Sequence, residues 1–475
     1  MQTLFGPYEP DKAPFLQSGL TDMANAYPGA NGFRPVGQFA SVTSSLDDDF
    51  YGGAAFVAST EAGTLIAGTL TALYKYSGGA WGALETGLAT SSRWQFTQFG
   101  DYVICVNGGP TQQVDLLAGT AAPLVGAPSG TSVATVRDFV VYGGAAGNAA
   151  MVQWSAFNDQ NGNTPGVDQA GFQPMLTGGD VQGIIGGEYG LIIQRNRVVR
   201  MTYTADTTDD VPLVWQFDEI APNVGAVSKG SITNSGRRTY FLSDRGFMFC
   251  DGNDVTPIGN ERVDATFFKT YSRQQLDQIY AAIDPKRTTV AWLVPGATGR
   301  IWVYNWQLDQ WSIISIPAKG ILSGFTTAIS LEQLDTLYPS GLDSIPYSLD
   351  DARFAGGDPL FLVVSMENSI GTLSGANMAA RFVTPYQELI AGRRTRLRFV
   401  RPISDVNRNL TLTLECRQML GGSPSTSSYS SLNGSGDFPV RAEGRYVRTT
   451  FDYAAGATWT YVQGVEHTGV PGGSR

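Results

Sequence analysis

Seven short apolar runs, each closed by a glycine-rich or polar break, recur along the chain and limit what it can fold into. They are "AGTLIAG" near Leu65, "GDYVICVNGG" near Tyr102, "RDFVVYGG" near Phe139, "GEYGLIIQRN" near Leu191, "RRTYFLSDRG" near Tyr240, "RTTVAWLVPG" near Val290 and "DPLFLVV" near Phe361. Each is too short for a helix and rich in β-branched and aromatic residues, so each reads as a buried strand. The intervals between these anchors are 37, 37, 52, 49, 50 and 71 residues. Most are close to roughly 40 to 50 residues, the length of one four-stranded propeller blade, a unit that buries its faces only against its neighbours. The pattern therefore predicts an all-β fold, an irregular β-propeller of six or seven blades over residues 46–380, with few short helices.

Hairpins between the anchors carry a second signature, an aromatic strand end, a polar turn and another large apolar residue. Tyr76 and Trp81 flank "SGGA", and Tyr304 and Trp311 flank "NWQLDQ"; "GFMFCDGNDVTPI" has the same form. These predict the outer hairpins of blades, with aromatic pairs across or beside the turn. In "IWVYNWQLDQWSII", residues 301–314, alternation sets Ile301, Val303 and Asn305 against Trp302, Tyr304 and Trp306, which places the aromatics on one strand face between blades. The competing reading makes exposed tryptophans such as Trp81 or Trp311 the platform of a host-glycan-binding adhesin.

Two segments depart from the β pattern. "SRQQLDQIYAAIDP" places Ser272 and Gln275 at capping-box spacing, with Leu276, Ile279, Tyr280 and Ile283 apolar and Pro285 as a stop. "SLEQLDTLYP" repeats this grammar with Ser330, Leu331, Gln333, Leu334, Tyr338 and Pro339. Both predict short helices on loops between blades, the second within an insertion near 318–357. Residues 1–45 form an arm that packs on the C-terminal domain or closes the propeller. Residues 381–475 alternate strongly, as in "RRTRLRFVRPISDVNRNLTLTLECRQ" and "GRYVRTTFDYAAGATWTYVQGVEH", around a flexible loop, "GGSPSTSSYSSLNGSG". They predict a small antiparallel β-sandwich domain. It holds the one basic cluster of the chain, Arg393, Arg394, Arg396, Arg398 and Arg401, which is either a solvated strand face or a docking surface for an acidic partner.

Charge and chemistry narrow the function. With 32 Lys and Arg against 42 Asp and Glu, the net charge of −10 argues against gripping nucleic acid and suits a wall past which DNA slides, or plain solubility. Cys105, Cys250 and Cys416 are far apart in apolar runs, without the spacing of a disulfide framework or zinc site, and His467 is the one histidine. No metal or cofactor is expected. Neither a signal-peptide pattern nor a run of about 18 apolar residues occurs, which predicts a soluble protein made in the cytoplasm without membrane insertion. "SDRGFMF" superficially resembles the sialidase Asp-box, but the spacing of Ser243, Asp244 and Gly246 is wrong and the motif occurs once, so it reads as a structural turn. Acidic pairs such as Asp47 to Asp49 and Asp209 with Asp210 lie in polar loops, and no facing carboxylate pair, nucleophile elbow, phosphate loop or zinc motif is visible. The expectation is that the protein is not an enzyme.

The ordered blocks "GLTDMANAYPGANGFRPV" (19–36), "VRDFVVYGG…VQWSAFND", "VQGIIGGEYGLIIQRNRVVRMTY", "WQFDEIAPNVGAVSKGSI", "GRRTYFLSDRGFMFCDG" and "VTPIGNERVDATFF" resemble the tail hub or nozzle proteins of short-tailed phages, also called packaged-DNA stabilisation proteins. The resemblance runs over nearly the full length and its specificity lies in the order of the blocks. It implies a propeller carrying a platform domain, in a homohexameric ring below the portal and adaptor rings of a virion tail. Such a ring continues the DNA channel, holds in the packaged genome without reading its sequence, and anchors a tail needle, tailspikes or fibres. It also implies that the arginine cluster faces the adaptor ring.

Overall fold

The computed structural model describes residues 1–60, 63–77, 79–206, 213–325, 341, 359–406 and 408–472. The expected helix at Ser330 to Pro339, most of the insertion near 318–357, and the pair Asp209 and Asp210 lie outside them. Described residues form seven four-stranded antiparallel sheets and two six-stranded sheets.

The seven small sheets are the blades of a propeller. Six are continuous in sequence, at 53–86, 95–123, 132–174, 181–222, 233–257 and 280–315. The seventh takes three strands, Gly320–Phe325, Pro359–Val364 and Ser369–Thr372, and receives its outermost strand, Ala40–Ser45, from the N-terminal side of the first blade. Completing the last blade with an early strand ties the two ends of the ring together by backbone hydrogen bonds, so the circle does not rest on side-chain packing alone.

Each of the seven apolar anchors is on the second strand of its blade. The reason is burial on both faces. In Gly190–Gln194, Leu191 and Ile193 pack toward blade five with Phe241 and Met248, while Ile192 packs toward blade three with Val141 and Val152. A strand covered on both sides needs apolar residues at consecutive positions, and that is the run visible in the sequence.

The platform is a sandwich of two six-stranded sheets. One contains Gln2–Leu4, Ala26–Gly29, Gly32–Pro35, Thr395–Ser404, Phe438–Gly444 and Val462–Pro471; the other contains Asp22–Ala24, Ala380–Val383, Gln387–Glu388, Leu410–Arg417, Ser425–Tyr429 and Tyr446–Tyr453. The first 36 residues thus supply four of its twelve strands. Along Leu410–Arg417 burial alternates residue by residue, with Leu412 and Leu414 inward against Phe382, Phe438 and Phe451.

Sandwich and propeller meet at blade six. Asn25 donates its backbone amide to the Ile313 carbonyl at 2.7 Å, and its side-chain oxygen accepts the Ser315 amide at 2.7 Å. Asn25 adopts φ 60°, a left-handed conformation that asparagine tolerates better than most side chains. A single apolar core continues from Trp302 and Trp311 of blade six through Tyr8 and Met23 into the sandwich.

Two local expectations need correction. The segment after Ser272 is helical only over Arg273–Leu276, although the capping box is formed; Tyr280–Asp284 is instead the innermost strand of blade six. Its pairing with Thr289–Leu293 satisfies a full ladder of backbone groups, which outweighs the local helical spacing. A helix not anticipated, Asp264–Thr270, precedes it. The glycine- and serine-rich loop after residue 420 contains Ser425–Tyr429, an edge strand paired with Leu412–Cys416.

Candidate functional site

Tryptophan-rich residues 301–314 are structural. Tyr304 and Trp311 are register partners across the outer hairpin of blade six, with ring centroids 5.0 Å apart. Trp292, Trp302 and Trp311 are among the most deeply buried large side chains, gathered around Phe247 and Phe267. Each indole N–H is spent internally: Trp292 on the Ser231 carbonyl at 2.9 Å, Trp302 on the Tyr271 hydroxyl at 3.3 Å, and Trp311 on the Ile258 carbonyl at 3.1 Å. Asp309, the lone carboxylate of the stretch, sits at φ 53° in the turn and accepts both Arg262 nitrogens at 2.7 and 2.8 Å and the Tyr304 hydroxyl at 2.8 Å. Arg262 holds that carboxyl below its ordinary range. Trp81 packs at a tilt against its partner Tyr76, ring centroids 5.1 Å apart, and donates to the Ser44 carbonyl at 2.9 Å, tying blade one to the strand that closes blade seven. Trp292, Trp302 and Trp311 thus offer no free face to a glycan, as the adhesin reading requires of Trp311, whereas Trp81 is only partly buried.

The arginine cluster is divided. Arg396, Arg398 and Arg401 are exposed on Thr395–Ser404, and Arg393 and Arg394 lead into that strand. Arg401 is neutralised, with Nε 2.8 Å from Asp437 and Nη1 3.9 Å from Glu466. The side chains of Arg393, Arg394, Arg396 and Arg398 have no ion pair or hydrogen bond among the described residues. Beside them, Phe399 is 39% exposed and Val470, on the neighbouring strand, 36% exposed. Unpaired guanidinium groups thus adjoin two partly exposed apolar side chains on this sheet face.

A further group, which was not singled out in sequence, lies at the mouth of the propeller's bore on the side where the innermost strands begin. There a cavity of about 630 Å³ is followed, toward the axis, by a second of about 460 Å³ lined by the innermost strands of all seven blades. Phe50, Arg93, Lys229, Gly230 and Tyr280 border both cavities. Arg93 lies 3.7 Å above the Tyr280 ring and donates to the carbonyls of Ile279, at 2.6 Å, and Gln278. Tyr280 packs in turn on Phe50 at 6.0 Å. Gly230 makes this arrangement possible, because a Cβ there would stand 2.0 Å from the Ile279 oxygen and 2.8 Å from the Arg93 guanidinium. Burial lowers the basicity of both Arg93 and Lys229. In sequence these residues are scattered; what they share is a position at or just before the innermost strand of a blade, a place recognisable only once that strand is assigned.

No family model matches the chain, and no curated protein sequence matches it. Among solved structures it is similar to the extracellular domain BT4673 of B. thetaiotaomicron, described as part of a one component system in one structure and of a hybrid two component system in another. Identity is 10% in both, with TM-scores of 0.44 and 0.43, covering 77% and 84% of this chain but 43% and 46% of theirs. The chain thus spans under half the length of those proteins. It is also similar to AztD from Citrobacter koseri, at 12% identity and a TM-score of 0.32, covering 62% of this chain and 94% of that one.

Proposed function

We propose that the chain is a non-enzymatic structural subunit of a phage tail, a nozzle protein that assembles as a homohexameric ring beneath the portal and adaptor rings, retains packaged DNA and anchors distal tail parts. The observation that carries this reading is the open arginine face of the platform: in a chain of net charge −10, Arg396 and Arg398 lie unpaired on one sheet face beside Phe399 and Val470, with Arg393 and Arg394 leading into it. Such a face suits an acidic ring surface above it. The blocks that resemble nozzle proteins also fall on joints of the fold. Residues 19–36 supply three platform strands, and "VTPIGNERVDATFF" runs from the last strand of blade five into the helix Asp264–Thr270, against which the N-terminal arm packs.

DNA would pass between copies rather than through each propeller. The bore of a single propeller is of small-molecule size, and Phe50, Tyr280 and Arg93 stand between its two cavities. Mass spectrometry of purified particles tests the assignment: the chain should appear at six copies for every portal ring, and particles that package and retain DNA without it would refute the reading.

A further inference from the structure

We propose that the mouth of the propeller's bore binds a small hydroxylated anion, an acidic sugar or a sugar phosphate. Four cations face this cavity, Arg93, Arg195, Lys229 and Lys319, against two carboxylates, Asp49 and Asp277. Lys319 is satisfied by Asp49 at 2.5 Å and by Asn368 at 2.9 Å. The other three cations have no carboxylate within ion-pair distance among the described residues, although the Asp180 carboxylate acts on Lys229 from farther away. Arg93 and Arg195 are held by backbone carbonyls, Arg195 by that of Val227 at 2.9 Å, and Lys229 has no hydrogen-bond partner among the described residues.

Half-buried charges without counter-ions are costly, and a structure that positions them so carefully leaves the compensating charge to be supplied from solution. Arg93 is locked by two carbonyls, the Tyr280 ring and the absent side chain at Gly230, so its orientation is set before any ligand arrives. The cavity volume suits a sugar-sized molecule. Ser91, Ser92 and Gln182 on the rim add hydroxyl and amide groups of the kind that pair with sugar hydroxyls. The resulting site combines a cationic floor with a polar rim. It is independent of any role in a virion: absence of the chain from particles would leave this proposal untouched.

Calorimetric titration of the full chain with glucuronate, glucose 6-phosphate and neutral glucose tests it. At least one charged probe is expected to bind about ten-fold or more tighter than glucose, and Lys229→Ala to weaken it about ten-fold. Lys229→Arg should restore the affinity. Because the Lys229 side chain holds nothing in place, Lys229→Ala should keep the parent melting temperature; should it misfold, Arg195→Ala replaces it. Preference for glucose 6-phosphate assigns a phosphate ligand and preference for glucuronate a carboxylate. Binding of neither charged probe, equal affinity for glucose, or unchanged affinity in the folded alanine variant would overturn the proposal.

Discussion

The carboxylate of Asp11 accepts the backbone amide of Thr266 at 2.7 Å and its hydroxyl at 2.6 Å, while its second oxygen takes the amide of Ala265 at 2.8 Å. An arm residue thereby caps, from outside, a helix whose own N-cap position is Val263, which has no polar side chain to do so. Three hydrogen bonds to an ionised group at a helix start are expected to be worth about 1–2 kcal/mol, so Asp11→Ala should lower unfolding stability by that amount. Asp11→Asn, keeping one acceptor oxygen, should lose less; chemical denaturation of the two variants checks the order.

Trp311→Ala removes a side chain that is 1% exposed and packs on Phe247, Trp292 and Tyr304. The expected cost is about 3–5 kcal/mol. Trp81→Ala, on a partly exposed hairpin, should cost clearly less and should act on closure of the ring, since its indole holds the Ser44 carbonyl. Thermal melts of both variants give the comparison.

The seven second strands were legible because burial on both faces forces consecutive apolar residues, and the Tyr76–Trp81 and Tyr304–Trp311 pairs because outer hairpins are local. Tyr280–Asp284 reads as helix in sequence because its strand partners are brought in by the ring and its local spacing points elsewhere. Arg93, Lys229 and Tyr280 stand up to 187 residues apart in sequence and converge only when the circle closes. The arginine row was visible as a cluster, but that Arg401 belongs to Asp437 and Glu466 required the strand register.

Two buried groups give stability opposite pH dependences. Burial, with help from the N-terminal ammonium, pushes the His467 imidazole down to about 3, while its Nε2 is 2.8 Å from the Thr449 hydroxyl. A base held neutral in the fold but protonated when unfolded costs stability as pH falls from its ordinary 6.5 toward 3, on the order of a few kcal/mol. Burial raises the Asp264 carboxyl to about 6, against the opposing hydrogen bond from the Phe247 amide. Its contribution is fully present below its ordinary value of 3.8 and is lost as pH rises through 6. Between about pH 4 and 6 the two groups therefore act in opposite senses: His467→Gln should remove a rise of stability with pH and Asp264→Asn should remove a fall; unchanged slopes in folded variants would contradict these assignments.

Reversing Arg394, Arg396 and Arg398 together to glutamate should leave the chain folded, because none of the three side chains holds another residue in place. The triple variant should fail to bind an adaptor ring, and co-sedimentation with that ring measures it. Arg401→Ala breaks an exposed ion pair worth little in water, and should retain binding.

The proposed assembly is tested by negative-stain imaging and light scattering of the purified chain, alone and mixed with the portal and adaptor rings of a short-tailed phage. Six-fold rings seated on the adaptor are the predicted result. A monomer that ignores the adaptor under conditions where the portal–adaptor complex is intact would contradict it.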